Sequence, residues 1–276
     1  MKTIFPEEQN IERPDRSILT IYTGPERFSF SLYDPEKTNS FLYKELIGEN
    51  RSDDALSVFK EAFFKHTFFS LPYRKVWIMN RTPSFTFVPR SFYKDECRED
   101  FVRFLFSDRQ GITLSSSVSS EEITVLYQLP EEIYRFMVRS FAKPEFVHYS
   151  TPVIKYFLKK SKKVDTCQMI VNLREKGVDI FCFLKETFIL GNYFPCKGMS
   201  EALYYILFTW KQLQMNQLND CLHITGDAVF KETLTEKLKL YLRNVYHLPL
   251  FSERHFGGVE AERIPLELAA LSVCGS

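Results

Sequence analysis

The chain has 276 residues, 45% hydrophobic and 26% charged, with 10 glycines and 13 prolines, a composition that excludes collagen-like and disordered classes. The length allows one large domain or two small ones. Its 36 Lys and Arg against 35 Asp and Glu leave a formal charge of +1, so no overall field steers it toward nucleic acid, anionic lipid or acidic substrate. Aromatic content is the unusual quantity, with 27 Phe, 14 Tyr and 2 Trp. A Phe-packed core is the first use to expect for these rings, and an exposed interface with another protein is the second.

The opening residues Met1 to Glu8 hold acids and Pro6 where a secretory leader needs an apolar stretch. The longest strongly apolar run, Ala202 to Trp210, is too short to span a membrane. Cys97, Cys167, Cys182, Cys196, Cys221 and Cys274 are scattered, with no C-x-x-C pair and no histidine at ligand spacing, so no metal site is expected. Reduced thiols of a cytoplasmic protein are expected instead.

In chain order, Ser17 to Tyr22 reads as a strand, Thr23 to Arg27 as a turn and Phe28 to Asp34 as a second strand that alternates Phe28, Phe30 and Leu32 with polar neighbours. A third strand is expected from Ser40 to Ile47. Ser52 looks like a helix N-cap, with Asp53 and Asp54 in the first turn and Leu56, Phe59, Phe63 and His66 at helical spacing. Val76 to Met79 suits a buried strand, Phe85 to Val88 another, and Asp95 to Phe106 a helix. Two strands are expected between Gly111 and Gln128. Pro130 with Glu131 and Glu132 opens one helix, and Pro152 opens another that runs out in Lys159-Lys160-Ser161-Lys162-Lys163. Those lysines fit the negative end of a helix and a boundary between units. A phosphate-binding patch is the weaker alternative.

The second half repeats the first. Cys167 to Leu184 reads as strand, five-residue turn and strand, offset by 150 residues from the first hairpin (172 minus 22), and Glu186 to Phe194 as a third strand. Ser200 then caps a helix with Leu203, Ile206, Leu207 and Trp210, apolar on most sides as if covered from two directions. Leu222 to Thr225 stands where Val76 to Met79 stood, offset by 146 (222 minus 76), and a last amphipathic helix carries Phe230, Leu234, Leu238, Tyr241 and Val245. The order predicts two related α/β units, each a three-strand antiparallel meander followed by helix, strand and helix. The boundaries read as 1–164, with an insertion at about 81–149, and 165–276.

A meander feeding a helix crossover resembles the ribonuclease H-like unit, and its duplication resembles the actin-like ATPase superfamily. From about Ser17 on, the chain resembles a family of bacterial proteins of actin-like ATPase fold known as a domain of unknown function. The segment Ile264 to Leu271 is similar to the small-residue helix that closes the last unit of actin-like proteins. The resemblance implies that the first hairpin of each unit faces phosphate, with an acid binding magnesium-associated water and a glycine turn offering backbone N–H groups. Here Tyr22 fills the acid position, followed by Thr23, Gly24 and Pro25, and proline donates no N–H. In the second unit Asn172-Leu173-Arg174 holds neither carboxylate nor glycine. Gly226, with Asp227 after it, stands where a glycine turn would contact adenosine. A tight strand-to-helix turn explains Gly226 equally well, and Asp227 is expected to cap the next helix. Arg174 is expected to be solvated in its turn.

The five histidines, His66, His148, His223, His247 and His255, show no catalytic pattern, and Ser115 to Ser117 with Ser119 and Ser120 lack a G-x-S-x-G context. Gly257-Gly258, beside His255, marks a turn. The reading is a non-catalytic module for protein interaction or assembly that binds another protein through exposed aromatics around 81–149. No catalytic residue, metal or cofactor is predicted. The alternative is a nucleotide-binding, ATP-hydrolysing protein using Tyr22, Thr23, Gly24, Asn172, Arg174, Gly226 and Asp227 in a non-standard cleft. Self-assembly stays open, and nucleic-acid binding through Lys159 to Lys163 is the weakest reading.

Overall fold

The computed structural model describes residues 11, 13–24, 28–46, 54–106, 111–118, 123–161, 165–226, 228–248, 256 and 264–275. These form two compact units that divide between Thr151 and Pro152, with 264–274 belonging to the second and Phe256 to the first. The division falls earlier than the expected 164/165. The reason lies in α4 (Ser150–Ser161), whose Phe157 ring packs 5.9 Å from Phe183 of the second unit.

The sheet of the first unit has the order β3-β2-β1-β4-β8, from β1 (Ile18–Thr23), β2 (Phe28–Tyr33), β3 (Leu42–Leu46), β4 (Lys75–Asn80) and β8 (Glu145–His148). The first three run antiparallel, and β4 and β8 join parallel to β1. Period-two alternation turns Leu19, Ile21, Phe28, Phe30, Val76 and Ile78 to one face. That face is closed by α1 (Ala55–Lys65), by the 3-10 turn Thr67–Ser70 and by α3 (Glu131–Ser140). The aromatic surplus goes largely here: Phe28 stacks on Phe59 at 5.0 Å, Phe59 meets Phe136 edge-on at 5.9 Å, and Phe30 packs against Phe68 and Phe69. The N-cap of α1 is Asp54, whose carboxylate accepts from the Ser57 N–H at 3.0 Å. Asp54 is thus the cap and not a first-turn acid, and Ser52 and Asp53 lie outside the described residues.

Between β4 and α3 the first unit inserts β5 (Phe85–Pro89), α2 (Arg98–Leu105), β6 (Ile112–Val118) and β7 (Ile123–Leu129), the strands forming an antiparallel sheet of order β5-β7-β6. The helix expected over 95–106 is a short 3-10 turn, Asp95–Cys97, followed by α2. Ser115 to Ser117 lie on β6, an edge of this sheet, as their polarity predicts.

The second unit repeats the main sheet as β11-β10-β9-β12-β13, from β9 (Cys167–Arg174), β10 (Gly177–Leu184), β11 (Thr187–Pro195), β12 (Cys221–Gly226) and β13 (Asn244–His247). One face carries Met169, Val171, Leu173, Val178, Ile180, Leu222 and Ile224 against α5 (Met199–Gln212) and α6 (Lys231–Lys239). The opposite face meets Phe157 of α4 through Phe183 and meets α7 (Leu266–Cys274) through Arg174.

The pairing registers reproduce the predicted offsets. Tyr22 pairs with Ser29 as Asn172 pairs with Asp179, and Thr23 pairs with Asn80 as Leu173 pairs with Gly226. Four expectations are corrected. The second hairpin turns through Glu175 and Lys176 alone, so Arg174 stays inside the ladder opposite Gly177. The last amphipathic helix stops at Lys239, and Val245 belongs to β13. The insertion is shorter than 81–149, because α3 and β8 have counterparts in α6 and β13. Trp77 pairs with Glu145, 68 positions on, and His223 with Tyr246, 23 positions on, so the excess is 45 residues. Lastly, α5 is covered on one side only. It buries Ala202, Ile206 and Trp210, and leaves Tyr204 and Phe208 exposed.

Candidate functional site

The two-residue turn of the second hairpin sets the geometry of its polar residues. Asn172 and Asp179 are direct cross-strand partners, and the Asn172 Nδ2 donates to Asp179 Oδ2 at 3.2 Å. Arg174, one step of the pleat further along β9, lies on the same face and donates through Nε to that carboxylate oxygen. Its Nη1 donates to Glu267 Oε1 of α7 at 3.0 Å. The Asp179 and Glu267 side chains are fully buried, and that of Arg174 is 12% exposed. Arg174 is therefore a largely enclosed, part-buried cation clamped between two buried carboxylates, not the solvated turn residue expected.

Sequence reasoning missed both acids. Asp179 sits inside the apolar run Val178 to Phe183, and Glu267 inside a helix that is otherwise Leu, Ala and Ser through its buried stretch. The signal was there: a carboxylate in an apolar run needs a buried counter-charge, and Arg174 was the available cation.

In the first unit the equivalent residues differ in chemistry. Tyr22 and Ser29 occupy the places of Asn172 and Asp179, both buried. The Thr23 hydroxyl accepts from Asn80 Nδ2 at 2.9 Å and lies 3.4 Å from the Met79 carbonyl, and the Thr23 carbonyl accepts from the Arg81 N–H at 2.8 Å. Thr23 is thereby tied to the end of β4. Gly24 follows it, half-buried, and Pro25 lies outside the described residues.

Gly226 has φ +101°, and a Cβ built there falls 2.0 Å from the Leu173 carbonyl oxygen. Backbone contact within the sheet thus demands glycine. Its own carbonyl accepts from Lys231 Nζ at 3.1 Å. Asp227 lies outside the described residues. The N-cap position of α6 is Phe230, which makes no side-chain capping bond.

Among the histidines, His66 is the C-cap of α1, and His223 on β12 shares a hydrogen bond with Gln168 Oε1 at 2.8 Å. His148 is fully buried, with Nδ1 2.7 Å from Ser150 Oγ and the Phe85 and Tyr149 rings each 4.5 Å away. Burial pushes its pKa down to about 3, so the ring is neutral at ordinary pH. This serine and histidine pair is sealed in the core, where it joins β8 to the start of α4. The six cysteines are free thiols, and burial pushes the Cys167 pKa up to about 11. Lys159 and Lys160 are exposed in the last turn of α4, Lys160 standing over the Tyr156 ring, while Lys162 and Lys163 lie outside the described residues. So do His255, Gly257 and Gly258. Among the described residues no helix is long and apolar enough to cross a membrane.

The profile of a family described as "Protein of unknown function (DUF3822)" matches residues 6–245. The chain belongs to the DUF3822 family. A crystal structure from Bacteroides thetaiotaomicron VPI-5482, a protein with actin-like ATPase fold and unknown function, is 27% identical to this DUF3822 member. The match covers 96% of this chain and 98% of that one, with a TM-score of 0.83. The PilM-PilN type IV pilus biogenesis complex matches at a TM-score of 0.60 and 9% identity, over 94% of this chain and 98% of that one. No curated protein matches the sequence. The fold of this DUF3822 chain is the actin-like ATPase fold, built from duplicated ribonuclease H-like units.

Proposed function

We propose that this chain is a non-catalytic interaction or assembly module on an actin-like fold, with the second hairpin given over to holding its own unit together. The observation that carries this reading is Arg174, whose Nε reaches Asp179 and whose Nη1 reaches Glu267. A phosphate at that hairpin would face the Asp179 and Glu267 carboxylates, and a magnesium ion would compete with a guanidinium already seated on them. Thr23 bonded to Asn80, and Gly226 explained by its approach to Leu173, support the same reading. No cofactor and no metal belong to it.

Partner binding fits the rings left in water. Phe92 and Phe104 of the insertion are 72% and 89% exposed, against a core that absorbs most of the other phenylalanines of that unit. The PilM-PilN complex is an example of a similar fold solved together with a second protein. The experiment is phosphate release from ATP with magnesium by the purified chain. Release at the buffer background is expected, and turnover that scales with protein concentration overturns the reading.

A further inference from the structure

The exposed side of α5 carries large aromatic side chains. Tyr204, Leu207, Phe208 and Lys211 follow helical spacing along one face. Tyr204 and Phe208 stack at 5.7 Å and are both exposed. Leu207 and Lys211 line an open depression of about 560 Å³ that Trp210, Leu218 and Tyr241 also enclose, with Leu218 and Tyr241 exposed at its edge. The two segments that build it are held together where the Arg243 N–H donates to the Gln217 carbonyl at 3.0 Å.

Its charge is mainly positive: the one acid on this face of α5, Glu201 a turn before Tyr204, accepts from the Lys197 backbone N–H at 2.9 Å. Neither 204–218 nor 237–243 contains an acid, while together they hold Lys211, Lys237, Lys239 and Arg243, all exposed. Glu236 offsets Lys239 at 2.8 Å. The carboxylate of Asp220, at the end of the intervening loop, accepts from the Cys167 and Asn216 backbone N–H groups. Of these cations Lys211 lines the depression, while Lys237 and Arg243 flank Tyr241 and Leu242 in the sequence, in a molecule whose overall charge is only +1.

We propose that this face receives an acidic segment of another protein, whose large apolar side chains enter the depression while its carboxylates face Lys211, Lys237 and Arg243. The proposal rests on the interaction reading above and names its surface and the chemistry of its partner. The apolar band favours a protein segment over a nucleic acid, and the openness of the depression favours a segment over a small molecule.

The test uses three labelled synthetic helical peptides of about 18 residues that share one Leu and Phe face and carry Glu, Gln or Lys on the other, titrated against the full chain by fluorescence anisotropy. The Glu peptide is expected to bind about tenfold tighter than the Gln peptide and the Lys peptide weakest, with an affinity that falls as salt rises. Phe208→Ser and Lys211→Glu should each weaken the Glu peptide about tenfold, and Phe64→Ser on the first unit should leave it unchanged. All three positions are exposed, and a melting curve by circular dichroism checks that each variant is folded. Equal binding of the three peptides overturns the proposal, as does Glu-peptide binding that ignores both variants. A single-stranded oligonucleotide that binds as tightly as the Glu peptide, or self-association abolished by Phe208→Ser, would assign the face to a polyanion or to a second copy. Binding that depends on Phe92 and Phe104 instead overturns this surface and leaves the interaction reading standing. No peptide binding together with ATP turnover overturns both.

Discussion

Arg174→Met is the substitution that most sharply separates a structural from a ligand-binding role for the second hairpin. Methionine keeps much of the side-chain volume but removes the Nε and Nη1 donors to the fully buried Asp179 and Glu267 carboxylates. Removing one partner of a buried ion pair costs about 3–5 kcal/mol, against about 0–1 kcal/mol for an exposed pair. At 12% exposure Arg174 is part-buried, but both carboxylates it holds are fully buried, so the pair lies near the buried limit. With a urea dependence of about 2 kcal/mol per molar, the midpoint of the second unit should fall by about 2 M. The chain has two tryptophans, Trp77 in the first unit and Trp210 in the second, so Trp210 fluorescence in a Trp77→Phe background follows the second unit alone. Adding Asp179→Leu and Glu267→Met to Arg174→Met should restore most of the loss, because replacing a whole buried charged array by apolar groups is often near neutral. A loss under about 1 kcal/mol for the single variant, or a triple variant less stable than the single one, refutes the clamp.

Two further substitutions test other parts of the account. Gly226→Ala should destabilise the second unit by at least about 2 kcal/mol, since its Cβ would strike the Leu173 carbonyl and φ is positive; a thermal midpoint within a degree of the parent would show that the strand end relaxes freely. For His148 the folded pKa, about 3, lies below the ordinary 6.5. The unfolded chain takes up a proton as pH falls through 6.5 and the folded chain does not until about 3. This contribution is therefore complete above pH 6.5 and lost below it, at up to about 1.4 kcal/mol per pH unit. His148→Gln should flatten the pH dependence of urea unfolding in that window, and an unchanged slope would count against the buried neutral imidazole.

Much of the fold was legible because its signals are periodic. Phe28, Phe30 and Leu32 alternate, Leu56, Phe59 and Phe63 recur at helical spacing, and the 150-residue offset between hairpins reappears in the strand registers. The fifth strand of each sheet was not legible. Glu145–His148 and Asn244–His247 are four residues each, too short for a period to show, and each is strand only because β4 or β12 offers a parallel neighbour. The candidate site was legible as a position and not as chemistry. Asn172, Arg174 and Gly226 were located by the repeat, but the acids that clamp Arg174 come from β10 and from α7, 93 residues away in the case of Glu267. A long-range pair of that kind leaves no local pattern. The side of α5 was misread for a related reason: an all-round apolar helix usually means cover on two sides, and Tyr204 and Phe208 keep one side open.

The most direct test of the central claim, that the second hairpin is committed to structure, is thermal unfolding with ATP or ADP at millimolar concentration, with and without magnesium. A ligand that binds only the folded chain at about a hundredfold over its Kd adds about 2.7 kcal/mol, or about 5–10 °C for a chain of this size. Neither nucleotide should shift the midpoint. A shift of several degrees that requires magnesium and disappears in Arg174→Met would contradict the claim and return the hairpin to phosphate.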